Sequence, residues 1–208
     1  MEWPIFAGLP SVDVEEVLAA ARRRTFAKGE VVFHDGDPGD SLHLVVRGRF
    51  AVRVMTPVGD IATLVIRGPG ESFGEMALVE PEAHRSATVQ ALEPAETLAL
   101  AYSRLGNLRP AVDRMLVVLL ADQLRRHNRL LLDAFYVPAE RRVLRRLLEL
   151  GETIELTQEE LAQLAGTSRA TVNRVLREEE KRGALRLDRG RVTVIDVEAL
   201  RRRARTAA

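Results

Sequence analysis

Cysteine is absent from the 208 residues. That removes disulfides, thiol redox chemistry and iron–sulfur ligation together. No apolar run approaches the length of a membrane span. The first residues, Met1-Glu2-Trp3-Pro4, lack the basic region and apolar core of a secretory signal. The expectation is a cytoplasmic protein with no membrane partner. The four histidines, His34, His43, His84 and His127, show no metal-ligand spacing, so no metal site is expected. No GxSxG element and no phosphate-binding P-loop occur either, and catalysis is not expected. Net charge is also scarce, at +1. It is unevenly spread. Residues 1–137 carry 15 Lys+Arg against 18 Asp+Glu, a net of −3; residues 138–208 carry 16 against 12, a net of +4. A basic excess at the C-terminal end is consistent with a phosphate-backbone partner there.

What is present begins with a change of period. Val12 to Arg24 reads as a short helix, with Ser11 as its N-cap and Val14, Val17, Leu18 and Ala21 on one face. From there to Ala101 short alternating or β-branched segments follow one another. They are Val31–Phe33, Leu42–Val46, Phe50–Val54, Ile61–Val65, Thr88–Ala91 and Thr97–Leu100. Glycines at 29, 36, 39, 48, 59 and 70 mark the turns between them. Short strands at this frequency predict an antiparallel sandwich or roll. Pro110 to Phe135 is then one long helical pattern. Val117, Leu120, Leu124, His127, Leu131 and Ala134 recur at spacings of three and four, as in a coiled-coil seam. Leu116, Leu119, Gln123 and Leu130 form a second face. Two stripes suit a helix that packs on the roll and also meets a partner helix; a single amphipathic helix in a monomer is the alternative.

Tyr136-Val137-Pro138 breaks the helical pattern and marks a boundary. Ala139 to Leu150 is a helix with Val143, Leu144, Leu147 and Leu148 inward, ended by Gly151. Thr157-Gln158-Glu159-Glu160 has the spacing of a capping box. A helix through Ala165, a turn at Gly166 and a second helix from Ser168 make a helix-turn-helix. Val172, Val175 and Leu176 face inward. Arg169, Ala170, Asn173 and Arg174 lie on the exposed N-terminal face, where side chains reach base edges in a major groove. Phosphate binding without base reading is the alternative role for the two arginines. Gly183 to Ile195, turning at Asp188-Arg189-Gly190, reads as a β-hairpin wing. Asp196 starts a last helix ending in Arg201-Arg202-Arg203, a solvated basic tail.

One constellation carries ligand chemistry. Phe73-Gly74-Glu75-Met76-Ala77 is followed by Arg85-Ser86-Ala87-Thr88. Gly74 lets backbone approach a ligand closely. An arginine fork and backbone N–H groups suit a phosphate, and a carboxylate suits a sugar hydroxyl. A plain Glu75–Arg85 ion pair closing a turn is the alternative.

These motifs resemble those of the CRP/FNR bacterial transcription regulators. The Phe-Gly-Glu and Arg-Ser-Ala elements, with Gly74 and Arg85 eleven positions apart, are similar to the phosphate-binding cassette of the cyclic-AMP-binding members. The Leu161–Arg174 stretch is similar to that branch's recognition motif, matching at Ser168, Arg169, Thr171, Val172 and Arg174. The resemblance runs from about residue 5 to about residue 200. It implies an α+β fold in three parts: a cyclic-nucleotide-binding β-roll over 1–109, a long dimerisation helix over 110–136, and a winged helix-turn-helix over 137–208. It implies a homodimer that binds double-stranded DNA at a pseudo-palindromic operator, meets RNA polymerase, and takes cyclic AMP as an allosteric ligand. Glu75 would accept from the ribose, Arg85 would pair with the phosphate, and Ser86, Ala87 and the backbone around Gly74 and Met76 would complete the cradle. Without cysteine, the cluster-based oxygen sensing of some relatives is excluded.

Two departures stand out. His127-Asn128 occupies the place of the pair that touches adenine in cyclic-AMP-binding relatives, commonly a threonine followed by a serine or asparagine; Asn128 could still bond adenine, while His127 replaces a small hydroxyl with a large ring. The phosphate–ribose end therefore matches the family, and at the base end His127 would fill part of the pocket or favour another base. Ala170 replaces the glutamate usual in the recognition helix, so the operator is expected to depart from the family's TGTGA half-site. A ligand-independent regulator with its pocket filled by His127 is the alternative reading.

Overall fold

A computed structural model describes residues 3–57, 59–78, 84–104 and 109–205. The contacts divide the chain into two compact units, Met1–Arg125 and Arg126–Ala208.

The first unit is built on two four-stranded antiparallel sheets. One has the order β1-β8-β3-β6, with β1 at Arg22–Phe26, β8 at Ala95–Ala101, β3 at Ser41–Arg47 and β6 at Ser72–Phe73. The other has the order β2-β7-β4-β5, with β2 at Val31–Phe33, β7 at Thr88–Ala91, β4 at Phe50–Met55 and β5 at Ile61–Arg67. Phe26, Val45 and Phe73 from the first sheet meet Phe50, Val89 and Ala91 from the second in one buried cluster. The first sheet is covered on its other face as well. Leu42, Leu44 and Leu100 pack there against Trp3, Ile5, Phe6, Val17 and Met115. This explains why β3 reads as a continuous apolar run: strand alternation sends Leu42 and Leu44 one way and His43 and Val45 the other, and both faces are buried.

The N-terminal helix is shorter than its periodicity predicts. α1 covers Ser11–Ala19, its N-cap is Pro10, and Ser11 makes no side-chain cap. Arg22 to Phe26 is not helical but pairs with β8 in the register Arg22↔Ala99 to Phe26↔Ala95. Helix propensity in three consecutive arginines is outweighed there by ladder bonds to a strand more than seventy residues away. The short β6 and the strand β9 at Thr153–Ile154 also carry no pattern long enough to read. The long helix, α2, covers Arg109–Tyr136.

In the second unit α3 (Ala139–Leu150) buries Val143, Leu144 and Leu147, with Leu148 half-buried. It packs against α4 (Gln158–Ala165), α5 (Arg169–Lys181) and α6 (Val197–Arg205). A three-stranded sheet completes the unit, with β11 (Arg191–Val194) between β10 (Leu185–Asp188) and β9. Asp196 precedes α6 and caps it, accepting from the Ala199 N–H at 2.8 Å.

An arginine-lined cleft and a helix-turn-helix face

Gly74 makes the first site. Its φ of +91° lies where only glycine is comfortable, and a Cβ there would meet Arg85 Nη1 at 2.8 Å and the Ser41 carbonyl oxygen at 2.9 Å. The missing side chain leaves room for the guanidinium. After Gly74 the chain turns into a short 3₁₀ segment, Glu75–Leu78. Arg85 arrives from the far side, clamped by its own backbone. Its N–H donates to the Asp37 carbonyl, and its carbonyl accepts from the Gly36 N–H, both at 2.8 Å.

The Arg85 side chain is buried. Nη1 donates to the carbonyls of Ser41 (2.8 Å) and Gly74 (3.1 Å), and Nη2 to Asp40 Oδ1 (2.9 Å) and Ser41 Oγ (3.2 Å). The Phe33 ring lies 4.0 Å from the guanidinium carbon, a cation–π contact. One donor is left over: the buried Nε has no hydrogen-bond partner. Burying an N–H unpaired is costly, and an anionic oxygen would satisfy it. The acid of the Arg85–Asp40 pair is 83% exposed while the base is 3% exposed. A second anion can therefore reach Arg85 without displacing a buried carboxylate. The turn ion pair between Glu75 and Arg85 that the spacing allows does not form among the described contacts. Glu75 Oε1 instead accepts from Gln123 Nε2 of α2 at 2.6 Å.

Beneath Arg85 lies a polar chain. His43 Nδ1 is 3.0 Å from Thr97 Oγ1 and Nε2 is 3.3 Å from Ser41 Oγ. Ser41 Oγ donates to Asp40 at 2.7 Å, so its lone pairs face the imidazole and Arg85. His43 stacks on Phe73, with ring centroids 5.0 Å apart. Burial pushes its pKa down to about 3, helped by Arg85 and Arg24 and opposed by Asp40. The imidazole is therefore neutral. Burial works to raise the Asp40 pKa, but the Ser41 hydrogen bond and Arg85 hold it below the ordinary carboxylate value. Tyr102 donates its hydroxyl to the Gly74 carbonyl, and burial raises its pKa.

Gly74 and Arg85 border a cleft that is open to solvent. Gly74, Glu75, Met76, Arg85, Ser86 and Ala87 all line it. Six of the eight expected ligand residues are thus brought together. The other two, His127 and Asn128, are exposed residues of α2 in the second unit. Sequence reasoning missed Asp40, Ser41, Tyr102 and Gln123. The Asp37-Pro38-Gly39-Asp40 turn is legible, but its bond to an arginine 45 residues on has no sequence signal. Among the described residues no group of His, Cys, Asp and Glu could hold a metal ion. Nor is any described helix long and apolar enough to cross a membrane.

The second site is the helix-turn-helix. Thr157 and Glu160 close a reciprocal capping box on α4. Gly166 ends α4 in the left-handed region, φ +58°. Ser168 caps α5, accepting from the Thr171 N–H at 3.2 Å. The turn is held from below by two arginines of α3. Arg142 donates to the carbonyls of Ala165 (2.8 Å), Gly166 (2.7 Å) and Val137 (2.7 Å), and Arg146 Nε to that of Leu164 (3.0 Å). They satisfy the carbonyls a helix leaves open at its C-terminus. Val172, Val175 and Leu176 are buried; Ser168, Arg169, Ala170, Asn173 and Arg174 are exposed, and Thr171 is half-buried. Arg174 is engaged: Nη2 donates to Glu140 Oε1 of α3 at 2.6 Å. That hydrogen bond lowers the Glu140 pKa and raises that of Arg174.

Two parts of the chain match known domain models. Residues 23–109 match the model of the cyclic nucleotide-binding domain, and residues 141–203 that of the Crp-like helix-turn-helix domain. The cyclic AMP receptor protein of Thermus thermophilus is 39% identical over 92% of this chain and 92% of its own. A CRP-like cAMP-activated global transcriptional regulator of Mycobacterium tuberculosis is 32% identical over 97% and 96%. The crystal structure of Thermus thermophilus catabolite activator protein covers 97% of this chain and 98% of its own, with 37% identity and a TM-score of 0.56. A cyclic-nucleotide-binding roll, a long helix and a Crp-like helix-turn-helix in one chain, with relatives matched end to end, place this protein in the CRP/FNR family of transcription regulators.

Proposed function

We propose that the protein is a homodimeric, sequence-specific DNA-binding regulator controlled by a cyclic nucleotide held in the cleft of the first unit. Cyclic AMP is the ligand in the names of the relatives. The observation that carries the reading is the buried Arg85, whose Nε lacks a partner beside a glycine-lined, solvent-open cleft. In this reading Nε and the Ser86 and Ala87 backbone hold the cyclic phosphate, and Glu75 accepts from the ribose. A ribose donor competes with Gln123 for Glu75 Oε1. Ligand binding then changes a bond to α2, the helix that continues into the second unit. The ligand can act only by binding the DNA-competent state more tightly.

Dimerisation is supported by apolar side chains left on α2. Val117 is 67% exposed, Leu124 62% and Leu131 55%, at the seam spacing of a coiled coil. A second copy would cover them and present two α5 helices to successive major grooves, about 34 Å apart. Arg169, Asn173 and Arg174 would read bases or phosphates through a face that begins at Ser168. Ala170 cannot accept from cytosine but can touch a thymine methyl. On promoter DNA such a regulator would meet RNA polymerase.

Calorimetric titration with cyclic AMP tests the site: wild type binds and Arg85→Ala does not. Silence from the wild type removes cyclic-AMP control. Selection of bound duplexes from a random pool, with and without the nucleotide, tests the rest. One observation favours a second reading, a ligand-independent regulator. Both Nη groups of Arg85 and the carboxylate of Glu75 already have protein partners. Equal operator affinity with and without nucleotide would select it.

A further inference from the structure

Arg67 is the second guanidinium of the cleft, and the phosphate–ribose reading has no use for it. It is 9% exposed and lines the cleft. It follows Val65 by two residues on β5, so strand alternation puts both on the same face. The register sets Val65, Val52 and Val89 in a row across β5, β4 and β7, and all three line the cleft. Arg67 lies two pairs beyond that row, on the same face, opposite Phe50. Arg85 and Ala87 precede Val89 on the chain entering β7, so they lie off the row's other end. A ligand with its phosphate at Arg85 lays its remaining length over the valines toward Arg67.

The surroundings of Arg67 select the chemistry. Its Nη1 donates to Glu71 Oε1 at 3.2 Å, and Glu71 Oε2 accepts from the Gly68 N–H at 2.8 Å. Glu71 neutralises the charge without using the whole donor fork. A neutralised arginine on an apolar floor suits an uncharged acceptor better than a second phosphate. Guanine shows two acceptors side by side, O6 and N7; adenine shows N7 beside an amino donor. Arginine has donors only, so it can bond the first edge twice and meets a donor on the second.

We propose that Arg67 reads the nucleobase and turns the selectivity of the cleft toward guanine, making cyclic GMP a ligand of this protein. This rests on the reading of the cleft as a cyclic-nucleotide site. The test titrates the full-length wild type, Arg67→Leu and Arg67→Lys with cyclic GMP and with cyclic AMP by calorimetry. In Arg67→Leu the ratio of the cyclic GMP to the cyclic AMP dissociation constant should rise about ten-fold or more, mainly through weaker cyclic GMP binding. Arg67→Lys keeps a charge beside Glu71 but loses the fork, and its ratio should rise too; it carries the test if thermal melting shows that the leucine variant is unfolded. An unchanged ratio, including a proportional loss of both nucleotides, overturns the inference and leaves Arg67 as the partner of Glu71 alone. A wild type that binds cyclic AMP and not cyclic GMP overturns the inference but leaves the cyclic-nucleotide reading standing. A wild type that binds neither removes both.

Discussion

Acid should unfold the first unit through one side chain, His43. The imidazole is buried, stacked on Phe73 and held by Thr97 and Ser41, and its pKa is pushed down to about 3. In the unfolded chain it titrates near 6.5. Between these values the unfolded state binds the proton and the folded state does not. Stability from this group is therefore complete above pH 6.5 and is lost as pH falls from there toward 3. At pH 5 the offset is about 1.5 pH units below the unfolded value, worth about 2 kcal/mol. Asp40, whose pKa is lowered from 3.8, loses its contribution as pH falls below about 3.8, outside the pH 7 to 5 range of the measurement. The single tryptophan is a suitable reporter. Trp3 is buried against Leu42 and Leu44, the strand neighbours of His43, and donates to the Val45 carbonyl at 3.3 Å. Urea unfolding followed by its fluorescence at pH 7, 6 and 5 gives the slope. His43→Gln keeps a donor and an acceptor but cannot titrate, and subtracting it removes all other groups. Wild type should lose about 2 kcal/mol more than the variant between pH 7 and 5. Parallel slopes would refute the claim that His43 is held neutral by burial.

Three further outcomes follow from single contacts. Gly74→Ala forces a strained φ and sets a methyl against Arg85 Nη1 and Ser41 O. It should destabilise the first unit by about 1–3 kcal/mol and abolish nucleotide binding; an unchanged Trp3 melting curve and affinity would contradict the crowding. Arg142→Ala uncaps Ala165, Gly166 and Val137. Amide exchange across 161–176 should speed up by an amount equivalent to about 2–4 kcal/mol, measured by mass spectrometry, with the first unit unaffected. Glu140→Gln weakens the hold on Arg174, which also lies 3.8 Å from Glu178, and removes a negative charge beside the helix-turn-helix face. Operator affinity by fluorescence anisotropy at low salt should rise about three-fold; weaker binding would mean that the pair orients Arg174 for DNA.

The helix-turn-helix was readable almost residue by residue because its determinants are local. Thr157 and Glu160 cap across one turn, Gly166 adopts a left-handed conformation, and Ser168 caps α5. Long periodic segments were equally clear, and α2 and α3 appear where their stripes predicted. The misses share a cause. The start of β1, Arg22–Arg24, reads as helix because Arg22–Thr25 has no apolar alternation; these residues are exposed, and backbone bonds to β8, the Arg23–Glu96 pair and the buried Phe26 hold the strand. β6 and β9, at two residues each, are strands only because a neighbour supplies the ladder.

The amino-acid sequence by itself determined the architecture and the kind of chemistry. Turn glycines, periodicities and the Gly-Glu to Arg-Ser spacing act over a few residues and need no tertiary partner to be seen. Only the tertiary structure decided what each charge touches. Arg85 pairs with Asp40 rather than Glu75, Glu75 bonds Gln123, Arg174 bonds Glu140, and Arg67 turns into the cleft. Such pairings depend on strand register and helix packing between segments far apart in the chain, and a side chain's type does not say which of several opposite charges will come within reach.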